Sequence, residues 1–225
     1  MQYNSIFRII LLSLALFIPI QASSIHYRFA ILVGSELQAI APFIAQQRMK
    51  EFRGYPYLYS ANIDEEYAYV DWFCSLPDAV AAVAYVDNQP VGFITGAPFI
   101  EFDQHFRSSI DVFIAAGLHP EDYFYFSEAI IEPGHRNQLL LITLSKLIED
   151  HVSKLGYSKA CFLEESHDQH PLKPNDYQEL DSLWKSLGYT KTMLTFTFDW
   201  DTIQPDGSIV KQDHILTYWI KASLK

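Results

Sequence analysis

Glu128 is a lone carboxylate inside an aromatic and β-branched run, Tyr123 to Ile131 (YFYFSEAII), that reads as a buried central strand. Such a group is a candidate general base, or else a structural carboxylate hydrogen-bonded into the fold. Tyr125, a candidate acid, lies an odd number of residues away and falls on the opposite strand face unless a β-bulge intervenes. The cluster Tyr55-Pro56-Tyr57-Leu58-Tyr59 either lines a pocket or plugs one end of a sheet. Asp64-Glu65-Glu66 either attracts a cation or forms the exposed first turn of a helix, where carboxylates complement the dipole. His167 and His170 with Asp168 have the composition of a metal site. Their proline-containing loop offers no preset helix face, so no metal is expected. Cys74 and Cys161 are the only cysteines and sit among apolar neighbours, as one bridge or as two buried thiols. Neither sits in a paired Cys/His segment that would make it a nucleophile, and no G-x-S-x-G segment supports a serine hydrolase.

The elements that must position these groups alternate between sheet and helix. Ile25 to Val33 favours a strand, and Gly34-Ser35 opens a helical stretch toward Phe52 in which Pro42 marks a kink or the true start. A second helix covers roughly Asp64 to Phe73. Ala79 to Val86 and Val91 to Thr95 flank the turn Asp87-Asn88-Gln89-Pro90 as a hairpin. Residues 101 to 117 read as a helical insertion. After the Glu128 strand, Leu140, Leu144, Leu147, Ile148, Val152 and Leu155 follow helical spacing, and Gly156 stands where a helix C-terminus favours glycine. Ala160 to Leu163 is the next strand, so strand, helix and strand predict a right-handed crossover. A short helix from Leu180 to Leu187 and strands Met193 to Trp200 and His214 to Ile220 complete an α/β (α+β) class with a mixed sheet.

The chain has 225 residues, 49% of them hydrophobic, which excludes disorder and is consistent with one domain over residues 23 to 225. Its net charge of −11 argues against a phosphate-tracking nucleic-acid surface and favours cationic partners. The first 22 positions are different: 15 are apolar, and Arg8 is the single charge. Arg8, the run Ile9 to Ile18 and the small residue Ala22 form a secretory-signal pattern, with export to a periplasmic or external space as the expectation. The run is short for a membrane span. An uncleaved anchor and a misplaced start codon, with a cytoplasmic protein, are the alternatives.

Three local sequences and the order of elements resemble the GNAT N-acetyltransferase superfamily over about residues 26 to 222. The hairpin AVAAVAYVDNQPVGFITG is similar to that family's second and third strands. SEAIIEPGHRNQLLLITLSKLIEDHVSKLGY resembles its acetyl-CoA motif, and LDSLWKSLGY its later short helix. Phe52 to Tyr59 and His170 to Trp184 resemble two stretches of one subgroup. The resemblance implies a GNAT-like acyl-CoA N-acyltransferase fold, a mostly antiparallel central sheet flanked by helices.

It also implies acetyl-CoA as co-substrate and a small-molecule or protein amine as acceptor, reached by direct transfer, with no metal and no nucleic acid. The pantetheine arm would pair with the backbone of Ala129, Ile130 and Ile131. The pyrophosphate would meet Arg136 and the N–H groups of Asn137, Gln138, Leu139 and Leu141 at a helix N-terminus. Leu139 and Leu141 replace the family's small residues and Asn137 a frequent glycine, so binding requires the leucines to turn toward the core. Glu128 takes the place of the base, and Tyr57, Tyr59 and His170 border the acceptor cleft. The family's acid, a tyrosine, falls on Trp184, whose indole donates no transferable proton. Tyr125, Tyr177, Tyr189 or water would substitute. A GNAT-like binding module without coenzyme A is the alternative reading, and export would separate the protein from cytoplasmic acetyl-CoA. The oligomeric state is open.

Overall fold

Strand β2 (Val80–Val86) shows why the hairpin region is so uniformly apolar. Ala81, Val83 and Tyr85 enter one core layer while Val80, Ala82 and Ala84 enter another, so the strand is buried on both faces. The computed structural model describes residues 25–165 and 170–224. The expected leader, His167 and Asp168 lie outside the described residues, as does the side chain of Gln138.

Seven strands form one sheet in the order β1-β2-β3-β4-β5-β7-β6. β1 (Arg28–Val33), β2 and β3 (Gln89–Pro98) run antiparallel to one another and to β4 (Tyr123–Ile131). β4 and β5 (Lys159–Glu165) are parallel, and β7 (Ile209–Lys221) joins β5 to the edge strand β6 (Thr190–Ile203) in antiparallel pairing. The mostly antiparallel sheet is therefore as expected. The two late strands are longer than their apolar patterns suggest, because they extend beyond the core as a hairpin closed at Gly207, φ +83°.

One face carries α1 (Gly34–Ala39), α2 (Ala41–Phe52), α3 (Ile63–Cys74) and α4 (Asp103–Ala115), around Leu37, Ile44, Val70, Phe73 and Phe113. Pro42 lies in the first turn of α2, where its missing N–H costs nothing, so it starts a helix rather than kinking one. The other face carries α5 (Gln138–Lys154), whose Leu140, Leu144, Ile148 and Val152 are buried, and α6 (Asp181–Ser186). None of the described helices is long and apolar enough to cross a membrane.

Two irregularities in β4 create the site. Thr95 pairs with Glu128 and Gly96 with Phe126, which leaves Ser127 as an extra residue in a β-bulge. Side-chain parity reverses across it: Tyr123 and Tyr125 share a core layer with Ile130, whereas Phe124 and Phe126 share the other with Ile131. In addition, β4 pairs with β5 only from Tyr123 to Tyr125, after which β5 follows β7 and the two strands diverge.

Candidate active site

The divergence opens a cleft. On the side away from β3, β4 has no paired strand from Phe126 to Ile131, and a cavity of about 320 Å³ lies against Ala129, Ile130 and Ile131 with Phe162 and Trp184 across it. Two loops close its outer end. Tyr55 stacks edge-on against Tyr177 at 4.7 Å, with Lys173 over both rings, so the aromatic loop after α2 meets the proline-containing loop before α6.

A second cavity of about 710 Å³ lies between α2, α3 and the β6–β7 hairpin. Its walls are aromatic (Tyr59, Tyr69, Trp200) and acidic (Glu65, Glu66, Asp201). Phe52, Tyr57, Ser127, Glu128 and Leu163 border both cavities, so the two meet at the β4 bulge. Tyr125 lines the second cavity, and the bulge places it on the same face as Glu128; the bulge supplies the exception to simple alternation.

Glu128 is buried and well partnered. The Arg48 guanidinium and the Thr95 hydroxyl donate to its two oxygens, and the Tyr69 hydroxyl donates at 3.5 Å. Arg48 also donates through Nε to Glu66 at 2.6 Å and lies over the rings of Tyr69 (4.3 Å) and Phe52 (5.0 Å). Burial works against the Arg48 charge, but Glu128, Tyr69 and Glu66 outweigh it and raise its pKa. Two carboxylates around one guanidinium leave a net negative charge at the junction. Burial, then Glu128, raises the Tyr69 phenol, and burial with a hydrogen bond to Glu66 pushes Tyr59 up to about 12. The acidic triplet is thus divided: Asp64 and Glu65 form an exposed first turn capped by Asn62, while Glu66 is buried on Arg48.

No family model matches the sequence, and no curated protein matches it. Solved structures do match in three dimensions. A protein of Acinetobacter baylyi ADP1 regarded as an acetyltransferase superposes with TM-score 0.58 at 11% identity, covering 89% of this chain and 93% of that one. A protein from Salmonella typhimurium solved with its cofactor acetyl-CoA gives 0.52 at 15%, over 88% and 94%. The aminoglycoside 6'-N-acetyltransferase of Enterococcus faecium gives 0.54 at 12%, over 88% and 97%. The chain has the GNAT acetyltransferase fold.

Within that fold, the start of α5 is where the resemblance places a pyrophosphate. Arg136 borders the cleft, donating to the Ile131 carbonyl at 3.0 Å and pairing with Glu51. Asn137 is the N-cap of α5, its Oδ1 accepting from Leu140 N–H at 2.8 Å, which leaves the amides of Gln138 and Leu139 without an intrahelical acceptor. Leu141 packs into the core, but Leu139 is 72% exposed at the helix start. One of the two leucines therefore turns inward as binding requires, and the other does not.

Trp184 borders the cleft, its ring tilted against Phe162 with centroids 4.9 Å apart. His170 lines neither cavity; its Nδ1 accepts from Leu172 N–H at 3.2 Å. Among the described residues no group of three potential ligands could hold a metal, and Cys74 and Cys161 are buried free thiols. Sequence reasoning missed Arg48 and Thr95 as partners of Glu128, and Glu66 as the second carboxylate on Arg48, since each comes from a different element. It also missed a buried set behind the second cavity. His214 Nδ1 lies 2.7 Å from Glu165, its Nε2 lies 2.7 Å from Thr202, and its ring stacks on Trp200 at 3.5 Å.

Proposed function

We propose that the protein is an acetyl-CoA-dependent N-acetyltransferase that passes the acetyl group directly to a primary amine of a small molecule or a protein. The observation that carries this reading is the meeting of two cavities at the β4 bulge. Direct transfer needs the attacking nitrogen about 3–3.5 Å from the thioester carbon, which two separately entering ligands reach only where their sites touch. The pantetheine arm fits the cleft as an added strand on the open edge of Ala129, Ile130 and Ile131. An ammonium acceptor suits the acidic and aromatic walls of the other cavity. Glu128, held in place by Arg48, attracts that ammonium and accepts the proton it must lose before attack. The aminoglycoside acceptor of the Enterococcus faecium neighbour is of this chemical kind.

The test is a calorimetric titration with acetyl-CoA followed by acetyl transfer to a panel of polyamines, amino sugars and peptides. Binding and turnover are expected, and no heat at millimolar acetyl-CoA would refute the reading. Glu128→Gln should lower kcat by about 10²-fold while acetyl-CoA binding persists, the scale of a lost general base. Equal loss of both would make Glu128 structural.

One observation favours a second reading, a binding module without coenzyme A. Asn137 already occupies an α5 amide, and Glu51 already neutralises Arg136. The same titration separates the two.

A further inference from the structure

Collapse of the tetrahedral adduct expels a thiolate, which an acid must protonate. Trp184 occupies the position that the family resemblance marks for that acid, and its indole cannot serve. The tyrosines named as substitutes are placed elsewhere. Tyr189 borders the cleft, but its hydroxyl is engaged, donating to Glu149 at 2.8 Å. Tyr125 packs against Phe102 at 4.9 Å and borders only the acceptor cavity, while Tyr177 borders only the cleft.

Tyr57 is the one tyrosine among the described residues that borders both cavities. Its ring packs on Phe52 at 4.7 Å, and its carbonyl accepts from Trp200 Nε1–H at 3.0 Å. Trp200 is in turn held flat on His214, which Glu165 and Thr202 clamp from either side. The next residue is tied as well, with Ile203 N–H donating to Leu58 O at 2.7 Å. Glu164 and Glu165 at the end of β5 and Glu128 on β4 line the same cleft as Tyr57, where the two strands part. The hydroxyl has no hydrogen-bond partner among the described residues.

We infer that Tyr57 is the general acid that protonates the departing thiolate. This rests on the acetyl-transfer reading. The first proton that Glu128 takes from the ammonium passes on to solvent, and as the C–N bond forms the now neutral amine loses a second proton to Glu128. As the C–S bond breaks, sulfur takes the Tyr57 hydroxyl proton as coenzyme A thiol, and the proton held on Glu128 returns to the tyrosinate directly or through solvent. Burial, with Glu165 and Glu164 adding to it, raises the phenol well above its ordinary value, so the proton is in place throughout the neutral range.

The experiment compares the full chain with Tyr57→Phe and with a fluorinated tyrosine at position 57, which keeps the shape and is more acidic. Tyr57→Phe should lower kcat by about 10²-fold with acetyl-CoA binding and KM within about threefold. The fluorinated variant should retain activity near neutrality and acquire an alkaline fall in kcat at lower pH than the native chain. A loss in Tyr57→Phe below about threefold, or an unmoved pH profile in the fluorinated variant, would overturn the inference. The fluorinated variant decides the matter if Tyr57→Phe folds poorly. Failure of the native chain to bind acetyl-CoA would instead overturn the reading on which it rests.

Discussion

Replacing Arg48 by methionine keeps a long apolar stem between Phe52 and Tyr69 and removes the one cation that Glu66 and Glu128 share. Exposed ion pairs are worth about 0–1 kcal/mol, whereas removing one partner of a buried pair costs about 3–5 kcal/mol. Side-chain exposures of 13% for Arg48, 3% for Glu66 and 2% for Glu128 put this cluster in the second regime. The expected loss is therefore about 4 kcal/mol at pH 8, because two carboxylates are left buried without a cation. Urea unfolding followed by tryptophan fluorescence at pH 8 measures it. Glu66→Gln added to Arg48→Met should recover roughly half of the loss, because Glu128 keeps Thr95 and Tyr69 as donors. A deficit under about 1 kcal/mol, or no recovery in the double variant, would refute the idea that a buried charge cluster organises the junction.

Two more outcomes follow from packing. A Cβ on Gly96 would lie 2.7 Å from Tyr125 O and 2.9 Å from the Phe126 ring, so Gly96→Ala should cost about 1–3 kcal/mol and, by shifting the bulge, weaken acetyl-CoA binding in calorimetry. Unchanged stability and affinity would count against the bulge as a tightly packed feature. Burial raises the Cys161 thiol well above its ordinary value and pushes Cys74 up to about 12, so neither should react with a disulfide reagent at pH 8 in the native chain. In guanidinium chloride both should react, with or without prior reduction; a count that needs reductant would reveal a bridge.

The helices and strands were legible where a short-range pattern sufficed. The α5 periodicity, Gly156 beyond it and the uninterrupted YFYFSEAII strand each express burial along one element, and burial leaves its period in the residues themselves. Glu128 and Tyr57 stood out for the same local reason, a carboxylate in an apolar strand and a tyrosine in an aromatic loop. Arg48 did not, because nothing along α2 distinguishes a cation that will be buried on carboxylates from α3 and β4. The fate of Leu139 and Leu141 also escaped, since a helix start exposes one position and buries another two residues away according to how the whole helix lies on the sheet.

By itself, then, the sequence determined the order of elements, the acidic balance and the presence of an acetyltransferase-like strand and helix, all of which rest on composition and short spacings. The tertiary structure alone decided that Ser127 is bulged, that β4 and β5 separate after three paired residues, and that Tyr57 reaches the place where two cavities join. The physical reason is that a bulge and a gap between strands belong to pairing. They arise from the fit of Gly96 against Tyr125 and from β5 staying with β7 after its pairing with β4 ends, and no single segment carries either.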